Sequence, residues 1–258
     1  GDDVFSGYRR HIAISIIQKM QIIPLFLRKS IKKVASVFNR KSSFGRRINK
    51  LFYNIDKPID ETMLGYFDWI DNETLEDLFI EKNTKDKHLY FKEIIKSISK
   101  EKSNLNKMLF WEMNTFLVSH NLNYTDKLSM ATGVEVRVPY LDVELVNFST
   151  SIPPELKLKG KETKYILKKV AERYLPHDVI YRPKTGFGGP VREWILNDMD
   201  VIINDYLSEE TIAKRGIFNY NKVQQLISDN KKGTIDASYP IWSLLAIESW
   251  MRQFVDKK

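Results

Sequence analysis

The stretch Thr125–Asp142, TDKLSMATGVEVRVPYLD, changes its local chemistry three times within eighteen residues, and it reads as a short helix, an extended turn and the start of a second helix. Thr125 is the expected N-cap, Asp126 sits in the first turn where a carboxylate suits the positive helix end, and Gly133 fits the left-handed position that closes the helix. Val134, Val136 and Val138 alternate with Glu135 and Arg137, which predicts an extended segment that buries three valines and turns an acid and a base the other way. Pro139 stops that segment and Asp142 caps the next helix. The result is an arm carrying Asp126, Lys127, Glu135 and Arg137. Two readings fit those four charges: a buried or half-buried ion-pair network that fixes the local fold, or the floor of a substrate pocket.

Outward from that arm, 258 residues with 43% hydrophobic and 12% aromatic content suffice for a packed core. Cysteine is absent, which excludes disulfides, cysteine-ligated metal and a cysteine nucleophile within this chain. A cytoplasmic location fits. Apolar runs such as Ile12–Ile17 stop well short of bilayer length and the chain opens on a polar Gly-Asp-Asp, so neither a membrane span nor a signal peptide is expected. The formal charge of +8 is unevenly placed, because residues 9–50 hold twelve Lys or Arg and no Asp or Glu. Such a block suits nucleic acid, anionic lipid or phosphorylated ligands. Its interleaving with Ile17, Ile22, Leu25, Leu27, Val34 and Val37 at roughly helical spacing favours instead the solvated side of amphipathic helices, with no nucleic-acid or membrane partner.

Helical patterning dominates the rest. Basic helices over 9–51 are broken at Pro24 and Gly45, and further helices are predicted over 60–71, 74–80, 90–99, 104–117, 143–150, 164–175, 199–207, 221–228 and 239–255. Residues 83–87 read as a polar loop, Thr163 as the cap of 164–175, and Leu109, Phe110, Met113 and Phe116 as core. Glu248 falls on the apolar face of the last helix, where a carboxylate needs a partner, and is read as structural. The four histidines lie far apart without metal-ligand spacing, and no GxSxG elbow, P-loop or dinucleotide fingerprint occurs.

Two further stretches carry chemistry. In Tyr181–Pro190, YRPKTGFGGP, Pro183 holds Arg182 extended while Gly186, Gly188 and Gly189 let the backbone bend closely around a ligand, with Lys184 between these constraints. Pro190 suits the first position of the following helix. Gly1–Tyr8, GDDVFSGY, sets two carboxylates before an apolar pair.

Taken together these segments resemble the asparagine synthetase family of glutamine-dependent ligases. Asp126–Asp142 is similar to the family's D-R-x-S-M-A-x-x-x-E-A-R-V-P-F-L-D signature, with Lys127, Val136 and Tyr140 in place of Arg, Ala and Phe. GDDVFSGY resembles the second half of S-G-x-G-x-D-E-x-F-x-G-Y, and R-P-K-x-G-F the motif whose lysine contacts the ATP phosphates and the reacting carboxylate. The likeness extends through a K-x-x-x-R/K-x-x-x-P spacing that keeps a basic residue at Lys164, which, like Lys161, otherwise reads as a surface charge.

The resemblance implies a mainly α chain: the helical C-terminal portion of an α/β adenine nucleotide α-hydrolase-like (PP-loop ATP pyrophosphatase) synthetase domain over 1–258, cut just inside the magnesium motif, with the glutaminase domain and PP-loop missing and no activity alone. It implies ATP as substrate and Mg²⁺ held by Asp2, with Asp3 standing where the family has Glu. Lys184 is the implied catalytic residue, and Asp126, Lys127, Glu135, Arg137, Arg182 and Gly186 form the shell of the ATP and substrate site. The implied reaction adenylates a small-molecule carboxylate, the aspartate side chain first of all, and amidates it with ammonia from an N-terminal glutaminase domain. The segment Ser119–Tyr124 lacks the family's usual acid, which keeps a sugar acid of surface-polysaccharide synthesis as an alternative substrate. A basic helical binding module without catalysis is the alternative from another class. Association into an oligomer is compatible with either.

Overall fold

Polar caps start several of the helices. Asp71, Ser103, Asp142, Ser208 and Asn219 each accept a hydrogen bond from the backbone N–H three residues on, satisfying a donor that the first helical turn leaves open. A computed structural model describes residues 1–38, 42–82, 88–98, 102–183 and 188–256. Its helices in chain order are α1 (Asp2–Phe5), α2 (Arg9–Met20), α3 (Leu25–Ser36), α4 (Ser43–Phe52), α5 (Ile59–Gly65), α6 (Asn72–Leu78), α7 (Leu89–Ser97), α8 (Asn104–Asn114), α9 (Asn123–Met130), α10 (Val143–Ser151), α11 (Pro154–Lys157), α12 (Tyr165–Ala171), α13 (His177–Ile180), α14 (Val191–Glu193), α15 (Asp200–Tyr206), α16 (Glu209–Arg215), α17 (Tyr220–Lys232) and α18 (Ser238–Phe254). Wider π-helical turns, Leu117–Leu122 and Trp194–Asp198, lead into α9 and α15. Among the described residues there is no strand, only the isolated bridges Phe79–Phe218 and Lys159–Glu162. The mainly α expectation therefore holds.

The chain divides into two units. The first comprises Gly1–Lys32, Leu51–Tyr66 and Lys87–Lys184. Inside it, Val4, Phe5 and Ile152 pack with Ile166 and Leu167, and Leu105, Leu109 and Leu158 pack with Ile12. The second comprises Lys33–Lys50, Phe67–Asp86 and Thr185–Lys258, with a core of Ile203, Val223, Leu226, Ile241 and Leu244 among others. In that unit Glu248 is buried and bound by Arg215 (Nη2–Oε1 2.9 Å, Nε–Oε2 2.8 Å) and by Arg252 (2.9 Å), the partners its apolar position demands.

Several local expectations fail for identifiable reasons. Thr125 does not cap a helix: the chain arrives already wound through the π turn, and Thr125 Oγ1 donates back to the carbonyl of Asn121 (2.7 Å). Gly133 does take the left-handed conformation (φ +69°). Val134, Val136 and Val138 are 57%, 45% and 43% exposed, so alternation marked an extended arm that the described residues do not cover. Gly45 sits inside α4 and interrupts nothing, whereas Pro24 does separate α2 from α3. Thr163 does not cap α12; Lys164 occupies that position in a left-handed conformation, and α12 ends at Ala171 with Val170 and Tyr174 exposed. Helix 60–71 stops at Gly65, and Phe110 is exposed. Pro190 directly precedes α14 as its N-cap. The apolar side of the basic block is only partly internal, since Ile17 is buried but Ile22 is 89% exposed and Leu25, Leu27, Val34 and Val37 are exposed too. The loop 83–87 lies outside the described residues.

Candidate active site

The candidate site lies in the first unit, where α1 turns into α2. Asp2 and Asp3 open α1, and the turn behind them is tight enough that a Cβ at Gly7 would collide with Asp2 Oδ1 and Cα, so only glycine fits there. Ser6, just before it, is held at φ +66°, and Lys164 at φ +54°; among the described residues these are the non-glycine positions with positive φ. The two are joined, for Lys164 N–H donates to the Ser6 carbonyl (3.3 Å). Lys164 Nζ then reaches Asp2 Oδ1 at 2.9 Å, both side chains being about one-quarter to one-third exposed (30% and 26%). Strained backbone of this kind persists where surrounding structure over-determines it and clusters at functional sites.

Three sequence segments meet here. The Gly1 Cα stands where an added Cβ would lie 3.8 Å from the Tyr140 ring and 3.7 Å from Leu167, and Phe5 packs edge-on against Tyr140 with ring centroids 6.4 Å apart. GDDVFSGY, the VPYLD end of the arm and the start of α12 thus converge. Asp3 turns inward instead. Its Oδ2 accepts from the Tyr8 hydroxyl (3.1 Å), which in turn accepts from Asn121 Nδ2 (3.1 Å), while Oδ1 is buried with no hydrogen-bond partner among the described residues. Burial, and then the charge of Glu112, push the Asp3 carboxyl above the usual carboxylate range. Burial likewise raises the Tyr8 phenol.

Beneath this lies a buried ionic cluster that sequence reasoning missed. Glu112 is 0% exposed; Arg10 Nε approaches Oε1 at 2.6 Å and His11 Nε2 lies 2.9 Å from Oε2. Burial alone would raise the Glu112 carboxyl, but the charges and hydrogen bonds of His11 and Arg10 outweigh it and hold the carboxyl low. The Arg10 guanidinium also stacks 3.9 Å above the Tyr8 ring. The signal was present: Glu112 continues the buried stripe Leu105, Met108 and Leu109 of α8 at i, i+3, i+4 and i+7, the same argument that identified Glu248.

The arm is placed differently. Asp126, Lys127, Glu135 and Arg137 are exposed, and Arg137 Nη2 meets Glu135 Oε1 at 3.0 Å with both side chains largely in solvent. Among the described residues, then, that pair is not part of a buried or half-buried network. Arg182 is exposed as well, following Tyr181, whose hydroxyl donates to Glu172 Oε1 (2.6 Å). Lys184 and Gly186 lie outside the described residues. Lys164, read from sequence as a surface charge, is the residue that joins Asp2. Among the described residues no three His, Asp or Glu side chains are grouped to hold a metal.

A family model described as asparagine synthase matches residues 1–252. The chain belongs to the asparagine synthase family. Among the relatives of this family member, asparagine synthetase [glutamine-hydrolyzing] 1 of Bacillus subtilis is 28% identical over 260 residues, covering 100% of this chain and 40% of that protein. A putative asparagine synthetase of Mycobacterium tuberculosis is 24% identical over 255 residues, covering 99% of this chain and 38% of its own length. The asparagine synthetase of Gallus gallus is 29% identical over 141 residues, covering 51% and 25%. This asparagine synthase-type chain thus spans about 40% of the length of the curated relatives that match it end to end. No solved structure matches it significantly. No helix among the described residues is long and apolar enough to cross a membrane.

Proposed function

We propose that this chain is the helical, substrate-activating part of an ATP-dependent, glutamine-hydrolysing ligase that converts aspartate to asparagine with release of AMP and pyrophosphate. The observation that carries this reading is the convergence of the family-type segments in one unit: Asp2 held against Lys164, over the paired left-handed residues Ser6 and Lys164, beside Tyr140. The relatives that match the chain end to end are named as glutamine-hydrolysing asparagine synthetases, which supports aspartate as the carboxylate and glutamine-derived ammonia, from a glutaminase domain, as the nucleophile.

In the proposed reaction a side-chain carboxylate oxygen of aspartate bonds to the α-phosphorus of ATP and pyrophosphate leaves. Ammonia then attacks the acyl carbon, AMP leaves, and the nitrogen gives up one proton to yield the neutral amide. Mg²⁺, when bound, neutralises phosphate charge during the first step. Asp2 fits such a cation, since a partly exposed carboxylate oxygen is the hard donor it prefers and one or two protein carboxylates suffice beside phosphates. Asp3 fits less well, being buried against Tyr8. Lys184, fixed in sequence between Pro183 and Gly186, is the proposed cation for the charge that develops on phosphoryl and carboxylate oxygens. The exposed Asp126, Lys127, Glu135, Arg137 and Arg182 form the proposed substrate shell, where charges left in solvent remain available to ligands.

The test is Lys184→Ala in the full-length enzyme, with pyrophosphate and ammonia release followed together. Amidation is expected to fall by about 10²–10³, while glutamine hydrolysis survives. Near-normal pyrophosphate release would overturn the reading, and equal loss of both activities would mark an unfolded variant.

A further inference from the structure

We propose that Lys164 is a built-in counter-cation for Asp2 that competes with divalent metal for the same carboxylate oxygen and so weakens the site toward metal alone. This rests on the reading of Asp2 as the metal-holding residue. The competition follows from position: an ammonium nitrogen 2.9 Å from Asp2 Oδ1 already fills one of the approaches to that carboxylate, and a hard cation seeks the same lone pairs.

An ordinary surface lysine would swing away at little cost, because its long stem samples many rotamers. Lys164 differs in that its backbone is fixed. It stands at φ +54° at the N-cap of α12, its N–H is bound to Ser6, Ser6 is itself left-handed and fully buried, and the adjoining Gly7 leaves room for the Asp2 carboxylate only because it lacks a Cβ. The Lys164 stem therefore starts from a fixed point, and the Asp2 carboxylate lies packed against Gly7. The partial burial of the two side chains keeps solvent from screening their charges fully. Lys164 also suits the role chemically: a compact ammonium can sit over one oxygen, whereas a guanidinium would engage the carboxylate through two. The consequence is order of binding. Metal displaces Lys164 readily only when it arrives with additional anionic oxygens, as it does on a polyphosphate, since these supply attraction for the released ammonium as well as ligands for the metal.

The experiment titrates Mn²⁺ alone into the full chain by calorimetry at fixed ionic strength, comparing the parent with Lys164→Met, Lys164→Arg, Asp2→Asn and the Asp2→Asn/Lys164→Met double variant. Lys164→Met is expected to tighten Mn²⁺ binding about tenfold, Lys164→Arg to bind no tighter than the parent, and the double variant to lose the gain. Lys164→Gln, which removes the charge and keeps a donor, gives the same ordering should Lys164→Met fold poorly. Unchanged or weaker Mn²⁺ binding in both neutral variants, with circular dichroism as in the parent, overturns the proposal while leaving Asp2 as a ligand whenever Asp2→Asn still weakens binding. Tighter binding in the neutral variants that Asp2→Asn does not abolish overturns it too, and then the assignment of Asp2 fails with it.

Discussion

Glu112 and Glu135 are both acids within one unit, each beside an arginine, and they have opposite surroundings. Around Glu112, Arg10 and His11 close within 3 Å, aromatic rings cover the guanidinium, and no part of the carboxylate reaches water. Glu135 meets Arg137 at a similar 3.0 Å, but on an extended arm with solvent on both sides. In the first case the ions are expensive to desolvate and must satisfy one another, so their energy is spent on the fold. In the second the pair contributes almost nothing to stability and remains able to exchange its partner for a ligand. A short charge–charge distance therefore says little until the solvent around it is known.

The largest effect expected from this contrast is on the buried side. Glu112→Ala strands Arg10 and His11 without a counter-charge and is expected to destabilise the chain by about 3–5 kcal/mol, read as a fall in the denaturation midpoint. A loss below about 1 kcal/mol would mean that the cluster is solvated in solution and the contrast is false. A middle-sized effect separates burial from pairing altogether. Lys157, only 3% exposed, donates to Asn106 Oδ1 at 3.2 Å and pairs with no carboxylate among the described residues; burial, followed by the charge of Lys102, pushes its ammonium down to about 8. The folded state then binds fewer protons than the unfolded chain between that value and the ordinary 10.5, so stability should rise with pH across this window, by about 1–3 kcal/mol. The comparison is with Lys157→Met, in which this rise should vanish. The smallest effect belongs to the arm. Glu135→Gln and Arg137→Gln are expected to shift stability by less than about 0.5 kcal/mol yet to weaken carboxylate-substrate use in the full-length enzyme, seen as a higher KM. A stability loss without a change in KM would make the pair structural after all.

The parts of this chain that sequence made legible are those governed by local rules. Asp142 caps α10, Gly133 turns left-handed, Pro24 parts two helices, and Glu248 meets Arg252 one turn on, because each depends on neighbours a few residues away; the second arginine of Glu248, Arg215, comes from 33 residues off. Burial was less legible. The valines of the arm alternate as a half-buried strand does, yet nothing in the alternation says whether a partner surface exists, and among the described residues none covers them. Glu112 continues an apolar stripe, but its partners Arg10 and His11 lie 102 and 101 residues away in the chain, beyond the reach of local rules. Lys164 was underrated for a related reason: its role rests on a left-handed backbone that its side-chain type disfavours, and no sequence rule assigns such a conformation to lysine.

The π turn between α8 and α9 has a bearing on how the arm keeps its aim. An α-helix advances about 100° per residue; here the chain leaves α8 through Thr115 (φ −130°, ψ −79°) and winds again through a turn one residue wider, which resets the phase. Upstream of Leu117–Leu122, α8 points Leu109 and Glu112 into the interior; downstream, α9 has no buried residue at all, and Asp126 and Lys127 face outward. The turn is in effect a phase-setting device, whose own members Asn121 and His120 latch onto Tyr8 and stack on Phe116. Loss or gain of a single residue there, tolerated in most surface loops, would rotate the whole signature that follows while leaving its composition untouched.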